Sequence, residues 1–179
     1  MIITISGIPG SGKTTVGRLL AKRLGYKFYS MGDLRGKMAM ERGLTIDQLN
    51  ELGEKEEWTD KEVDEYQAEL GRKEGNFIVD GWISWHFIPH SFKVLLTVGM
   101  KKGAERVFRH QRPDEDKVAT TPAMKRMLSK RVKQSQARYM KYYGIKDFLN
   151  HKHYDLVVDT NGINAKQVAG RVLDAVEKN

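Results

Sequence analysis

Short apolar runs alternate along the chain with longer segments whose apolar residues recur at helical spacing. Five runs have the length and composition of buried strands, and they cover residues 2–6, 26–30, 77–79, 94–98 and 154–158. Strands that alternate with helices are typical of a parallel sheet with helices on both faces. The pattern therefore predicts an α/β fold with a five-stranded parallel sheet, in which ligands bind at the carboxyl ends of the strands.

Helix-start and helix-stop signals fill the intervals between the strands. Segments 45–48 and 59–62 fit the capping-box pattern, so an acidic helix is expected to begin at each. Thr121 and Pro122 suit the N-cap and first residue of a long helix, and Pro113 ends the helix before it. The other predicted helices cover about 16–24, 33–42, 101–111, 121–143 and 164–177.

Length and composition exclude several classes of protein. The chain has 179 residues, enough for one domain with one sizeable core, and it has no cysteine, which excludes disulfides, thiolate zinc sites and thiol nucleophiles. No apolar run reaches the roughly 18 residues of a membrane-spanning helix. Because a strand and a glycine motif begin almost at once, we expect no signal peptide. We expect a monomeric, single-domain protein of the cytoplasm without a membrane partner.

Charge is unevenly distributed along the chain. The net charge is +8, and segment 101–152 holds 15 basic and 5 acidic side chains, whereas segment 44–74 holds 4 basic and 11 acidic ones. A concentrated positive segment predicts an anionic partner. Composition alone leaves both nucleic acid and a polyphosphate as candidates.

A glycine-rich segment directly follows the first predicted strand. Residues 7–14 read GIPGSGKT, which fits the P-loop pattern G-x-x-x-x-G-K-[ST]. In this pattern the backbone N–H groups surround a polyphosphate, Lys13 reaches its β- and γ-oxygens, and the Thr14 hydroxyl binds Mg²⁺. The strand before it and the helix after it favour a P-loop NTPase-type site for ATP with Mg²⁺. The residues assigned to this site are Gly7, Ile8, Pro9, Gly10, Ser11, Gly12, Lys13, Thr14 and Thr15.

Polar residues follow the second predicted strand at the same edge of the sheet. Ser30, Gly32 and Asp33 can cap the next helix while their backbone approaches a ligand. Arg35 and Lys37 follow within one turn and can hold the phosphate of an acceptor. An ordinary N-cap followed by solvated basic residues is the alternative.

The third predicted strand ends in a carboxylate beside the expected phosphate site. Asp80 can hold Mg²⁺ through water or orient an acceptor, and Gly81 follows it. Trp82 and Trp85 can stack on a base or serve only in packing. We assign Asp80, with Thr14, to the metal, although a strand-terminal aspartate can also merely cap a turn.

The long basic helix predicted over 121–143 carries polar residues on its apolar face. Arg131, Ser135 and Arg138 share that face, whereas the other basic side chains suit a solvated surface. A guanidinium on an apolar face needs an anion or a carboxylate opposite it. Arg131 and Arg138 are therefore candidates to bind an anionic ligand, and a structural ion pair with an acidic helix remains open.

Two more arginines precede a segment rich in helix breakers. Arg109 and Arg112 lie just before residues 113–122, whose composition suits a mobile flap. Arginines that close on a transferring phosphoryl group stabilise its charge, and closure excludes water. The residues assigned to charge stabilisation are Lys13, Arg109, Arg112, Arg131 and Arg138.

These motifs together resemble the nucleoside monophosphate kinases, most closely the archaeal type of cytidylate kinase. The matching segments are 7–15, 30–33, 38–39, 41–43, 60–64, 80–81, 138–139, 143–145 and 154–160. The resemblance implies transfer of the ATP γ-phosphoryl group to CMP or dCMP with Mg²⁺. It also implies one kinase domain, 1–179, with a core formed by 1–31, 76–111 and 144–179, acceptor-binding helices at about 32–75 and a lid at about 109–125.

Three positions depart from the family's pattern. An arginine is usual at Gly36, so its contact to the acceptor phosphate is expected to move to Arg35 or Lys37. A carboxylate that accepts from the cytosine amino group is usual near Ser135, and Trp82 replaces another arginine. The acceptor-binding residues are nevertheless predicted to be Ser30, Gly32, Asp33, Arg35, Asp80, Gly81, Trp82, Arg131, Ser135 and Arg138.

Two other functions fit the P-loop. The chain could phosphorylate another small metabolite, such as a sugar acid, or it could be an ATPase that binds RNA through its basic segment. The inward position of Arg131 and Arg138 argues against RNA, because RNA binding favours an outward basic face.

Overall fold

The structure, a computed structural model, describes residues 1–178 and contains the expected five-stranded parallel sheet. The order of the strands across the sheet is β2-β3-β1-β4-β5, and every pairing is parallel. The strands are β1 (Ile2–Ser6), β2 (Lys27–Ser30), β3 (Phe77–Asp80), β4 (Phe92–Thr97) and β5 (Leu156–Asp159). The predicted α/β fold is therefore confirmed.

Helices cover both faces of the sheet. The helices are α1 (Lys13–Leu24), α2 (Met31–Glu41), α3 (Ile46–Leu52), α4 (Trp58–Lys73), α5 (Ser84–Phe87), α6 (Met100–Phe108), α7 (Thr121–Tyr143) and α8 (Ala165–Val176), with a 3₁₀ turn at His151–His153. The alternation of side chains along β1 divides the core, because Ile3 and Ile5 pack with α1 and α8, whereas Ile2 packs with α2, α3 and α4.

The sheet register brings three predicted site segments together. Asp80, the last residue of β3, pairs with Ile5 of β1 on one side and with Ser30 of β2 on the other. The carboxyl end of β1 leads into the glycine loop, and that of β2 leads into α2. The three segments therefore meet at one edge of the sheet.

Two of the predicted helix starts are wrong by a few residues. No capping box forms at Thr59, because α4 already begins at Trp58 and the Thr59 hydroxyl donates to the Glu56 carbonyl instead. The cap of α7 is Thr120 rather than Thr121, which shifts Pro122 to the second helical position. The capping box at Thr45 and the left-handed stop at Gly25 are confirmed.

Short elements and boundaries account for the other differences. The helix α5 and the 3₁₀ turn are too short to show a periodic pattern in the sequence. The helix α6 ends at Phe108, before the breaker-rich segment, and α2 begins at Met31. Within residues 1–178, no helix has the length and apolar character needed to cross a membrane.

Candidate active site

The glycine loop between β1 and α1 has the backbone of a phosphate-binding loop. Gly7, Gly10 and Gly12 have φ angles of 143°, 80° and 93°, which side chains with a Cβ rarely adopt. At Gly10 a Cβ would also lie 2.3 Å from the Gly103 carbonyl oxygen. Because no side chain caps α1 at Gly12, its first N–H groups remain available to an anion.

Lys13, Thr14 and Asp80 meet beside this loop. The Thr14 hydroxyl donates to Asp80 Oδ2 at 2.5 Å, and the Ser30 hydroxyl donates to Asp80 Oδ1 at 2.7 Å. Lys13 Nζ donates to the Ile8 carbonyl at 3.1 Å. Burial lowers the pKa of the Lys13 ammonium to about 8 although the charge of Asp80 opposes this shift, and burial raises the pKa of Asp80. Lys13 and Asp80 are thus a buried pair of opposite charges, in which Lys13 can bind a polyphosphate and Asp80 can bind a cation.

The surroundings of Asp80 fit a magnesium ion that is bound mainly through substrate phosphates. Residues 1–178 contain no group of three or more histidine, cysteine or acidic residues that could hold a metal. One hydroxyl and one carboxylate are nevertheless what Mg²⁺ takes from a protein when nucleotide phosphates complete its coordination. Thr14 and Asp80 are the residues that would hold it.

A cleft of about 460 Å³ runs from the glycine loop to α4 and α7. The predicted site residues that line it are Pro9, Gly10, Gly12, Lys13, Thr14, Thr15, Ser30, Gly32, Arg35, Asp80, Gly81, Trp82, Arg112, Arg131, Ser135 and Arg138. Gly7, Ile8 and Ser11 belong to the same glycine loop but do not line the cleft. The Ser11 N–H donates to the Ile8 carbonyl within the loop. One cleft thus joins the expected donor and acceptor residues.

Two arginines share one aspartate in the part of the cleft away from the glycine loop. Asp60 binds Arg35 through Oδ1 at 3.0 Å and Arg138 through Oδ2 at 2.8 Å. Asn50 Oδ1 accepts from both guanidinium groups, and Arg138 also donates to the Ser135 hydroxyl at 3.1 Å. Two positive charges face one negative charge, and the buried Arg35 Nη2 has no partner among the described residues. This cluster can therefore accept a further anion.

Arg35 and Lys37 were both candidates to replace the arginine that is usual at position 36, and they have different surroundings. Arg35 turns into the cleft, whereas Lys37 is exposed and pairs with Glu41 at 3.7 Å. Arg35 is thus the basic residue of this turn that can reach a ligand in the cleft.

Arg131 forms ion pairs with two carboxylates. Asp47 accepts from it at 2.9 Å and Glu115 accepts from it at 2.7 Å, and the Arg131 side chain is only 8% exposed. One positive charge therefore faces two negative charges, the reverse of the balance at Asp60. The ion pair with an acidic helix that the sequence left open is present, and Glu115 comes from the segment after α6.

Arg112 anchors the same segment onto α2. Its Nε and Nη2 donate to the two oxygens of Asp114, both at 2.9 Å, and its Nη1 lies 3.0 Å from Asp33. Asp114 is buried, and its backbone carbonyl accepts from the Ile46 N–H at 2.8 Å. The segment expected to form a lid is thus docked on α2 and α3.

The docking requires a glycine at position 36. A Cβ at Gly36 would lie 1.9 Å from Asp114 Oδ2 and 3.3 Å from Arg112 Nη2. We expect Gly36→Ala to displace Asp114 and to lower the unfolding free energy by about 1–3 kcal/mol. It should also increase protease cleavage within 109–120, as measured by limited proteolysis alongside thermal unfolding.

Gly170→Ala is the matched control for this substitution. Gly170 also lies inside a helix, but a Cβ added there would have no neighbour within 4 Å, so alanine should stabilise by about 0.5–1 kcal/mol. An equal gain for Gly36→Ala would contradict the contact between α2 and Asp114.

Two of the predicted site residues are not brought to the cleft. Arg109 is exposed at the end of α6, because this helix turns Arg106, Val107 and His110 toward the cleft instead. Asp33 does not line the cleft either. Its backbone N–H donates to the Ser30 hydroxyl, and its carboxylate is held by Arg18 and Arg112.

Arg106, rather than Arg109, lines the cleft from α6. It donates to the Gly10 carbonyl at 2.9 Å and to the Thr160 carbonyl at 2.7 Å, joining the glycine loop to the loop after β5. Arg106 was not predicted from the sequence, and neither were Asn50, Asp60, Asp64, Gln67 and Glu115. For the residues of α4, the signal was their spacing, because positions 60, 63, 64 and 67 share one helical face.

The two tryptophans have different surroundings. Trp82 lines the cleft and stacks on Phe148, with ring centroids 5.3 Å apart. Trp85 stacks on His153 at 4.3 Å and does not line the cleft. Trp82 is therefore the tryptophan positioned to contact a ligand.

Known proteins match this chain over most of its length. A model of the cytidylate kinase-like family matches residues 2–162. A cytidylate kinase of Archaeoglobus fulgidus is 33% identical over 178 residues, which cover 99% of this chain and 95% of that protein. An S-adenosylmethionine-dependent nucleotide dehydratase of Lacinutrix mariniflava is 36% identical over 178 residues, but this chain spans only 36% of its length.

Solved structures bear on the fold alone. The shikimate kinase of Acinetobacter baumannii superposes with a TM-score of 0.66 and 20% identity, covering 99% of this chain and 93% of that one. This likeness agrees with the P-loop type of sheet described above.

Proposed function

Because the chain belongs to the cytidylate kinase-like family of ATP-dependent phosphotransferases and nucleoside monophosphate kinases, we propose that its acceptor is CMP or dCMP. The observation that carries the proposal is a single cleft with a glycine loop at one end and the net positive cluster of Arg35, Asp60 and Arg138 at the other. A triphosphate at the first site and a monophosphate at the second would approach each other between Lys13 and Arg112.

The reaction needs no nucleophile from the protein. A phosphate oxygen of the acceptor forms a bond to the γ-phosphorus of ATP, while the bond from that phosphorus to the bridging oxygen breaks and leaves its electron pair on ADP. Charge spreads over the oxygens of the transferring group, so catalysis depends on positioning and on fixed positive charges. In this proposal the glycine loop and Lys13 stabilise the donor, and Arg35, Arg131 and Arg138 hold the acceptor. Arg112, which lines the same cleft, adds positive charge for the transferring group.

Thr14 and Asp80 would hold magnesium, which would supply positive charge against the donor phosphates. The Thr14 hydroxyl can give a lone pair to the ion while its hydrogen still bonds to Asp80. Asp80 keeps its second hydrogen bond from Ser30, which holds the carboxylate in place.

Residues 109–125 are proposed to act as a lid. Arg112 already attaches this segment to Asp33 of α2, and the Asp114 carbonyl attaches it to the Ile46 N–H of α3. Glu115 attaches it to Arg131 of α7. A closed lid excludes water, which otherwise competes with the acceptor for the phosphoryl group.

An acceptor panel tests the proposal. ADP release is measured in a coupled assay with ATP, Mg²⁺ and CMP, dCMP, UMP, AMP, GMP or no acceptor, and with shikimate and gluconate as non-nucleotide acceptors. We expect saturable release at low concentrations of CMP or dCMP and little release without an acceptor. Release that depends on a sugar acid, or that RNA stimulates without any acceptor, would refute the proposal in favour of one of the two other functions.

A further inference from the structure

The wall of the cleft formed by α4 contains a buried amide with an unused acceptor. Gln67 is 2% exposed and lines the cleft, and its Nε2 donates to Asp64 Oδ1 at 2.7 Å. Its Oε1 has no hydrogen-bond partner within residues 1–178. A buried acceptor without a donor costs free energy, so a polar ligand that supplies the donor gains affinity.

Asp64 fixes which end of the amide is free. Its other oxygen, Oδ2, accepts from the Tyr143 hydroxyl, and an ionised carboxylate accepts hydrogen bonds but cannot donate them. While Asp64 is ionised it holds the amide nitrogen of Gln67, as the structure has it, and Gln67 Oε1 remains available to a ligand. Desolvation raises the pKa of Asp64 to about 7, against the effects of Tyr143, Gln67 and Arg35, while the charge of Asp60 adds to the rise.

The surroundings of Gln67 suit a base better than a phosphate. Val63, Ile83 and Tyr139 line the cleft with it and are buried apolar or aromatic side chains. The guanidinium groups that suit a phosphate are held further along, at Asp60. A nucleotide whose phosphate is bound by Arg35 and Arg138 can place its base against this part of α4.

The residue that the family pattern suggests for the amino group is already engaged. Ser135 stands where a carboxylate is usual, and its Oγ accepts from Arg138. A serine hydroxyl is also a weaker acceptor than the carboxylate that it replaces, whereas Gln67 on the opposite helix offers a buried acceptor without a partner.

We propose that Gln67 Oε1 accepts a hydrogen bond from the exocyclic amino group of cytosine, and that Asp64 positions the Gln67 amide for this contact. The proposal rests on the proposed nucleoside monophosphate kinase function and assigns its base-selecting residue. Cytosine presents an amino donor where uracil presents a carbonyl acceptor. Uracil in the same place would set two acceptors against each other, so UMP is rejected.

The experiment compares CMP with UMP in two variants. Gln67→Met keeps the length of the side chain and removes the acceptor, and it should lower the ratio of kcat/KM for CMP over UMP by about tenfold or more. Most of the change should lie in the KM for CMP, with kcat at saturation little altered. Calorimetric binding of CMP and UMP without ATP should show the same loss.

Asp64→Asn tests the positioning role separately. Asparagine can donate as well as accept, so the Gln67 amide can turn and offer its N–H₂ to uracil. We expect UMP to improve and CMP to weaken while the melting temperature does not fall, because the variant removes a buried carboxylate that is costly to ionise. Glu65→Gln, on the exposed side of α4, is the matched control and should leave both nucleotides unaffected.

The outcomes separate the two proposals. If the wild-type protein prefers CMP and both folded variants keep its ratio within about twofold, Gln67 does not read the base, and the kinase proposal stands. If the wild-type protein binds neither CMP nor UMP, the proposed function and this assignment both fail.

Discussion

Lys13→Ala is expected to reduce phosphoryl transfer by at least about 10³-fold without lowering the melting temperature. In the proposed site, the Lys13 ammonium is the positive charge nearest the β- and γ-phosphates. Its only hydrogen bond within residues 1–178 goes to the Ile8 carbonyl, and burial lowers its pKa to about 8. Burying this charge costs free energy, and without it Asp80 keeps its hydrogen bonds from Thr14 and Ser30, so the melting temperature should change little.

Steady-state kinetics and thermal unfolding check this expectation together. Lys22→Ala is the matched control, because Lys22 lies on the same helix and is exposed. It should leave turnover within about twofold of the wild-type value. Normal turnover in folded Lys13→Ala protein would contradict the assignment of the glycine loop to the donor triphosphate.

The sheet was predictable because its strands have a strong local signal. Segments such as 2–6 and 77–79 are continuous apolar runs, and strands buried on both faces require them. The start of α4 was not predictable in the same way. Thr59 has the sequence of a cap, but the helix begins earlier and its side chain is fully buried. Tertiary packing overrides a local cap signal when the capping residue is needed in the interior.

In the candidate site, too, the residues with a local sequence signal were predictable and those that depend on tertiary packing were not. The glycine loop and Asp80 could be found because a motif fixes them relative to a strand end, and the inward face of Arg131 and Arg138 followed from helical spacing. The partners of these arginines could not be found. Asp60 lies 78 residues from Arg138 in the sequence, and only the docking of α4 against α7 brings them together.

Glu115 is the clearest example of a contact that the sequence could not predict. It comes from a segment whose breakers predicted only a flexible loop, yet its side chain is 6% exposed and binds Arg131 at 2.7 Å. Charge composition described 101–152 as a basic segment, but its few carboxylates make the decisive contacts. Pairing depends on the fold and not on local charge density, so net charge cannot assign it.

Arg131→Met is expected to raise the acceptor KM by about 10- to 100-fold and to change the ATP KM by less than about threefold. The proposal gives the Arg131 guanidinium to the acceptor nucleotide, which must then replace at least one of the carboxylates of Asp47 and Glu115 that now hold it. The same substitution leaves both carboxylates unpaired. A loss of about 3 kcal/mol in the unfolding free energy is therefore expected as well.

A second substitution separates the two effects. Adding Glu115→Gln to Arg131→Met removes one of the two carboxylate charges that are left unpaired. Part of the lost stability should therefore return, while the acceptor KM should stay high. Lys130→Met is the matched control, because Lys130 and its partner Glu51 are both exposed and contribute little. If the acceptor KM recovered together with stability, or if both substrates were affected equally, Arg131 would serve only to hold Glu115 and the closed segment in place.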